Sequence, residues 1–257
     1  MNLDDNTKIY DFDTEVARGN VRNAATWNKW GYNNDIDTGT EEIIASWGGA
    51  WSPPTTAETI DFVSTDANDT SGGTGLNSIV IYGIDEDRTS IIEVLTLDGL
   101  TPVTTTNTYF GINRVAPFLC GSSKSNEGKI TGDQTTSGII VAEMPIGETV
   151  TQQAIFYVDA GNTFLTSSLY INVLKISGGG TPVVTIKGYV YSPVANANIQ
   201  IFRTKIDTGV ENSVYIEAPE LFPITESSVL YFTATTDTNN TSVDLRFNGK
   251  LVQNIPV

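Results

Sequence analysis

Carboxylates are the only abundant groups in this sequence that could perform acid–base chemistry. The chain has 257 residues, with 30 Asp and Glu, one cysteine and no histidine. Without histidine, neither a Ser-His-Asp triad nor a Cys-His pair can form. A single thiol also excludes dithiol redox chemistry and the usual zinc and iron–sulfur sites. Because two carboxylates alone can hydrolyse a glycosidic bond, a glycan hydrolase is the enzyme class that this composition leaves open.

Two acidic clusters could supply such a pair. One contains Asp35, Asp37, Glu41 and Glu42, and the other is the run of acids at 85–87. The run lies at a predicted hairpin tip, where water keeps carboxyl pKa values ordinary, whereas a catalytic acid needs burial. The first cluster offers oxygen ligands for calcium but lacks the glycine and the last glutamate of an EF-hand loop. We therefore expect no catalytic residue, no metal site and no cofactor, and we expect that the protein is not an enzyme.

The charge balance bears on the choice of partners. Fourteen Lys and Arg stand against 30 Asp and Glu, a formal net charge of −16, and the basic residues are scattered singly along the sequence. Nucleic acid and anionic lipid both require clustered basic residues, so we expect neither as a partner. The sequence has no apolar run that suggests a membrane span or a secretory signal, so we expect a chain made in the cytoplasm.

The elements that would position these residues are β-strands. From Thr59 onward, β-branched and aromatic residues alternate with polar ones, which is the pattern of half-buried strands. The runs at 78–84 and 90–97 flank a turn and predict a hairpin. About a dozen short strands separated by Gly, Asn and Asp predict an all-β fold, namely a jelly-roll-like β-sandwich. We assign residues 26–257 to this domain, and the glycines at 178–180 are a candidate point of subdivision.

The beginning of the chain differs from the rest. Residues 1–25 are polar and aperiodic, which predicts an extended N-terminal arm that orders only against a partner. All four tryptophans then follow between positions 27 and 51. Such rings serve as a plug for the core, the interpretation that we favour, or as anchors of an intermolecular contact. The candidate interface residues are Trp27, Trp30, Tyr32, Trp47 and Trp51.

Tyrosines in the predicted strands suggest another kind of surface. Several rings on one sheet face could stack on a sugar, although their apolar neighbours favour packing in the core. The tyrosines concerned are Tyr157, Tyr170, Tyr189, Tyr191, Tyr215 and Tyr231.

Motifs spread over most of the chain point to a lineage. They include NKWGYNNDID at 28–37, WGG at 47–49, STDANDT at 64–70 with GTG at 73–75, YGIDE at 82–86, EVLTLDG at 93–99, TPVTTTN at 101–107, LFP at 221–223 and TATTDTNNTSV at 233–243. These segments resemble a virion structural protein family of tailed bacteriophages. The likeness extends over roughly residues 28–247 and is weakest between about 133 and 215. It implies a particle component, without fixing a place in the particle.

We accordingly expect a non-enzymatic virion protein, most of all a capsid decoration or cement protein that binds the assembled head shell. Its expected location is the capsid surface, after synthesis in the host cytoplasm. The expected partners are the major capsid protein or other virion proteins, and the chain is expected to form a homo-oligomer, with a trimer as the working assumption. The alternative is a tail or head fibre component that recognises a host-surface glycan, and a carboxylate-driven glycan hydrolase is the third hypothesis.

Overall fold

The computed structural model describes residues 12–217 and 223–254, and nearly all of the regular structure there is β-strand. The predicted all-β class is therefore confirmed. Residues 1–11 of the predicted arm lie outside the described part of the chain. Where the arm is described, it is not simply extended, because α1 (Phe12–Ala17) precedes the first strand. This helix contacts β1 (Ala24–Ile36) and leaves Val16 only 3% exposed, so burial of an apolar side chain favours the helix.

Two five-stranded antiparallel sheets face each other across the largest core cluster. Sheet I comprises, in spatial order, β1, β17 (Thr241–Gln253), β11 (Asn162–Lys175) and β14 (Ser213–Glu217), with β15 (Pro223–Ile224) also paired to β11. Sheet II comprises β10 (Ile155–Tyr157), β16 (Val229–Thr236), β12 (Val183–Ser192) and β13 (Ala197–Asp207), with β2 (Glu42–Ile43) paired to β16. Phe164 and Leu245 of sheet I meet Ile186 and Phe232 of sheet II in this cluster.

Residues 60–144 form two smaller sheets around a core cluster of their own. Sheet III comprises β6 (Val103–Thr104), β3 (Ile60–Ser64), β8 (Ile130–Gln134) and β9 (Ile140–Met144). Sheet IV comprises β5 (Ser90–Thr96), β4 (Leu76–Ile84) and β7 (Gly111–Cys120). Phe62 and Met144 of sheet III pack with Ile79 and Leu95 of sheet IV. This segment is thus inserted in the chain between β2 and β10 of sheet II.

A third core cluster joins the two pairs of sheets. Ile155 and Tyr231 of sheet II meet Ile84, at the end of β4, and Phe110, just before β7. The four sheets form a propeller-like ring, and the predicted two-layered jelly roll is not what the chain builds. Alternation of polar and apolar residues is the same in a sandwich strand as in a strand of a ring of sheets, so periodicity alone does not distinguish the two.

The glycines at 178–180 lie between β11 of sheet I and β12 of sheet II. Both strands contribute to the largest core cluster, for example through Ile171 and Val184. The triple glycine therefore links two sheets that share one core.

Candidate functional site

Three of the five candidate interface residues lie on β1, on its two opposite faces. Trp27 points to the largest core cluster, where its ring centroid lies 5.1 Å from that of Phe156. Trp30 and Tyr32 alternate with buried residues such as Lys29 and are half-buried on the outer face of sheet I. Only Trp30 and Tyr32 thus share a surface.

The other two candidates lie in the loop after β2 and pack over the third core cluster. The ring of Trp51 lies 5.5 Å from that of Tyr231, and its Nε1 donates a hydrogen bond to the backbone oxygen of Ile140 at 3.1 Å. Trp47 packs beside it against the same cluster. These contacts join sheet II to sheet III, so both residues serve the core.

The first acidic cluster organises a loop. Glu42 is only 4% exposed, and its carboxylate accepts hydrogen bonds from the backbone N–H groups of Asp37 and Gly49 and from the side chain of Asn33, at 2.8, 3.0 and 3.1 Å. Asp35 and Asp37 are themselves exposed. The four acids therefore do not meet as a catalytic pair, because the buried one is occupied by donors of its own loop.

Glu41 connects the same loop to sheet II. It forms an ion pair with Lys187 at 2.6 Å and accepts a hydrogen bond from the hydroxyl of Thr233 at 2.7 Å. Burial alone would raise the pKa of Glu41, but the hydrogen bonds from Lys187 and Thr233 outweigh burial and lower the pKa. Glu41 is thus held as a carboxylate. A general acid would need the opposite shift.

The second acidic run forms the turn between β4 and β5, as the sequence predicted. The backbone N–H of Thr89 donates to the Asp85 carboxylate at 2.8 Å, and Glu86 and Asp87 are exposed. Arg88, with φ at 63°, folds its guanidinium over the ring of Phe110 in the third core cluster. The turn therefore packs against the third core cluster.

Asp69 is a buried carboxylate that the sequence analysis did not single out. It is 0% exposed and accepts hydrogen bonds from Ser64 Oγ at 2.6 Å and from the backbone N–H groups of Leu76, Glu127 and Gly128 at 2.7, 3.0 and 2.8 Å. A Cβ at Gly75 would lie 2.2 Å from Asp69 Oδ1, so glycine is required there. The motif at 64–75 thus builds a loop around one carboxylate.

The outer face of sheet IV is largely apolar although it is exposed, with Arg114 opposite Tyr82 at its edge. Ile92 and Val94 of β5 are 64% and 47% exposed, and they stand opposite Tyr82 and Val80 of β4. Val80 in turn stands opposite Ala116 of β7. An antiparallel sheet normally turns polar residues to solvent. We call this surface the apolar face; its residues are Val80, Tyr82, Ile92, Val94 and Ala116, extended by Phe118 and Leu119 at the irregular end of β7.

The outer face of sheet I carries a different surface. Trp30, Arg246, Tyr170 and Tyr215 are opposite one another in register, on four successive strands. Tyr170 and Tyr215 are 37% and 61% exposed. Neighbouring strands are about 4.8 Å apart, so this aromatic–arginine row spans about 14 Å. Rows of mainly polar side chains flank it on both sides; they are Asn28, Asn248, Ser168 and Glu217 on one side and Tyr32, Asp244, Asn172 and Ser213 on the other.

The six strand tyrosines are thus divided between core and surface. Tyr157, Tyr191 and Tyr231 are buried, and burial raises the pKa of Tyr231 to about 12. Tyr189 is half-buried and stacks on Tyr231, with ring centroids 5.4 Å apart. Tyr170 and Tyr215 are the exposed pair of the aromatic–arginine row. The expected packing in the core therefore holds for Tyr157, Tyr191 and Tyr231, whereas Tyr170 and Tyr215 form the exposed array.

A groove lies beside the row, between sheet I and β7 of sheet IV. Its main cavity has a volume of about 610 Å³ and is lined in part by Trp27, Asn28, Arg114 and Asn248. A second cavity of about 450 Å³ shares Asn28 and Arg114 and reaches Trp30 and Arg246 of the row. We call the two cavities together the groove. Asn28 and Asn248 are far apart in the sequence and meet here because β1 pairs with β17.

Lys29 is buried next to the groove and is only 4% exposed. It lines a small separate cavity together with Asn28, Trp30 and Arg114, which also line the groove. Its Nζ donates a hydrogen bond to the backbone oxygen of Asn113. Burial, and secondly the charge of Arg114, hold the pKa of Lys29 well below its usual value. A buried amine therefore lies beside the guanidinium of Arg114.

Comparisons with known proteins assign no family to the chain. No protein-family model matches the sequence, and no curated protein matches it. In the part of the chain that the structure describes, no helix is long and apolar enough to span a membrane.

Proposed function

We propose that this chain is a non-enzymatic virion structural protein, most specifically a capsid decoration protein that binds the assembled head shell. The apolar face is the observation that carries the proposal. Its residues occupy positions that a solvated antiparallel sheet fills with polar side chains. Contiguous exposed apolar surface on a chain with a net charge of −16 marks a place where another protein binds.

The motifs that resemble tailed-phage virion proteins support the choice of partner. We propose the major capsid protein or another virion protein, and the capsid surface as the location after synthesis in the host cytoplasm. Complete burial of an exposed apolar side chain contributes about 1.5–3 kcal/mol before the costs of association are subtracted, and Ile92, at 64% exposed, contributes correspondingly less. We also propose that the chain forms a homo-oligomer, taken as a trimer. Within each chain, we propose that each pair of facing sheets packs as a small β-sandwich.

Cryo-electron microscopy of particles with and without the protein tests this role. The proposal predicts extra density on the outer surface of the head when the protein is present. Density confined to the tail tip, or heads that are identical in both samples, would overturn the decoration role.

The aromatic–arginine row favours a second role, that of a tail or head fibre component that recognises a host-surface glycan. Exposed rings such as Tyr170 and Tyr215, flanked by amide and hydroxyl side chains, suit the apolar faces and the hydroxyls of sugars. The Y170A/Y215A double variant should then bind host cells less than the parent protein does. The matched control is F118A, because Phe118, at 63%, is about as exposed as Tyr215, at 61%, and lies on another sheet. Absence of cell binding by the parent protein at micromolar concentration would count against this role.

A further inference from the structure

The groove gathers positive charge on a strongly acidic protein. Three of the 14 basic residues line it, namely Arg114, Arg246 and Lys250. Among the described residues that line its two cavities, none is Asp or Glu. With a net charge of −16 over the chain, this local excess of cations favours an anionic ligand.

Arg114 is positioned to receive such a ligand. Its Nη2 donates to the backbone oxygen of Asn28 at 3.2 Å, and its guanidinium carbon lies 5.9 Å from the ring centre of Trp27. A guanidinium has five N–H donors in a fixed planar fork, which matches the two oxygens of a carboxylate. The charge of Arg114 also lowers the pKa of buried Lys29. A bound anion would relieve this repulsion between the two basic groups.

Arg246 provides a second guanidinium at the end of the groove that meets the row. Its side chain is 58% exposed, and it is 3.7 Å from the carboxylate of Asp244. The Asp244 side chain is only 24% exposed, so loss of Arg246 as a partner would leave a mostly buried carboxylate. A ligand carboxylate would therefore have to share Arg246 with Asp244.

The uncharged side chains of the groove suit hydroxyl groups. Asn248 donates from Nδ2 to Ser168 Oγ at 3.2 Å, and Asn28 stands opposite Asn248 in the register of β1 and β17. Trp27 and Trp30 place indole rings in the two cavities. Amides, hydroxyls and aromatic rings together match the polar edges and apolar faces of sugar rings. Cavities of about 610 and 450 Å³ are within the usual range for small ligands.

These features point to a sparsely charged ligand. Phosphate chains and anionic lipid surfaces need a continuous track of cations, and the net charge of −16 repels a dense polyanion. We infer that the groove binds a carboxylate-bearing saccharide, with Arg114 and Arg246 on the carboxylate and Trp30 against a sugar ring. This inference rests on the second proposed role, glycan recognition; the groove adjoins the apolar face, because Arg114 stands opposite Tyr82.

A glycan array probed with the full purified chain tests the inference. The array carries sialylated and uronate-containing glycans together with their neutral counterparts. Bound glycans are then titrated calorimetrically against the parent protein and the R114A, R246A and R203A variants. We expect carboxylate-bearing glycans to bind, their neutral counterparts to bind at least tenfold more weakly, and R114A and R246A each to lose at least tenfold in affinity. R203A is the matched control, because Arg203 is exposed on β13, outside the groove, and it should bind as the parent does.

Each other outcome overturns the inference in a recognisable way. Neutral glycans that bind as well as acidic ones would overturn it and leave glycan recognition standing. No binding to any glycan would overturn both. If R246A lowers shell binding instead of sugar binding, the groove is a protein interface. Arg246 is exposed, so R246A tests the ligand even if R114A fails to fold, and unchanged affinity in R246A then overturns the inference.

Discussion

Lys29 donates a hydrogen bond from its buried Nζ to the backbone oxygen of Asn113, and this bond ties sheet I to sheet IV. Asn113 is the extra residue of a bulge in β7, because Tyr82 pairs with Arg114 while Gly83 pairs with Ile112. The bulge leaves Asn113 without a partner in β4, and its side chain instead pairs with the backbone of Tyr157 through two hydrogen bonds of 2.8 and 2.9 Å. One irregular residue thus connects three sheets.

Replacement of Lys29 by Met should change how stability depends on pH. The folded-state pKa of Lys29 is lowered below 10.5, so between the two values only the unfolded state binds the proton. The free energy of unfolding of the parent, minus that of K29M, should therefore rise with pH in that window, by up to about 1.4 kcal/mol per pH unit. Below the lowered pKa the difference is constant. Urea unfolding of both proteins from about pH 6 to about pH 10 measures this difference, and a pH-independent difference throughout would contradict the assignment.

Asp69→Asn should destabilise the protein by about 3 kcal/mol. The carboxylate accepts four hydrogen bonds, whereas an amide turns an NH₂ group toward N–H donors such as those of Leu76 and Gly128. The midpoint of urea unfolding measures the loss. The control is D87N, because Asp87 is exposed at a hairpin tip. Equal midpoints for the two variants would show that the buried carboxylate has no special role.

Gly31→Ala should lower the free energy of unfolding by about 3 kcal/mol or prevent folding. A Cβ at Gly31 would lie 2.2 Å from both the backbone nitrogen of Ala154 and the backbone oxygen of Ile44, and backbone atoms cannot give way as a side chain does. The control is G179A, because no atom lies within 4 Å of a Cβ at Gly179. A thermal melt of both variants checks this prediction, and a G31A protein that melts with the parent would refute it.

The sequence predicts local structure well where periodicity alone decides it. The hairpin expected from 78–84 and 90–97 is confirmed as β4 and β5, with the acids 85–87 in its turn. The pairing of Trp30 with Arg246 joins residues at opposite ends of the chain, and no periodic pattern encodes such a pairing. For the same reason the jelly-roll arrangement was wrong, while the all-β class was right.

The functional surfaces were harder to foresee. Ile91 and Ile92 are adjacent and equally apolar, so alternation does not tell which of them faces solvent. Arg114 and Arg246 are isolated in the sequence, and only the fold places them on one groove. The aromatic candidates were singled out by their density, yet burial in two core clusters separates Trp27 from Trp51. Asp69 was missed because nothing in its sequence neighbourhood indicates burial.

Shell binding by the apolar face is the central claim, and a paired set of variants tests it most directly. I92E/V94E places two charges on the face, and V194E/V210E places the same two charges at the 94% and 84% exposed Val194 and Val210, outside sheet IV. Each purified protein is sedimented with head shells that lack it. We predict that the parent and V194E/V210E cosediment equally with the shells, while I92E/V94E remains folded and loses at least tenfold in affinity for them. Equal cosedimentation of both double variants would contradict it.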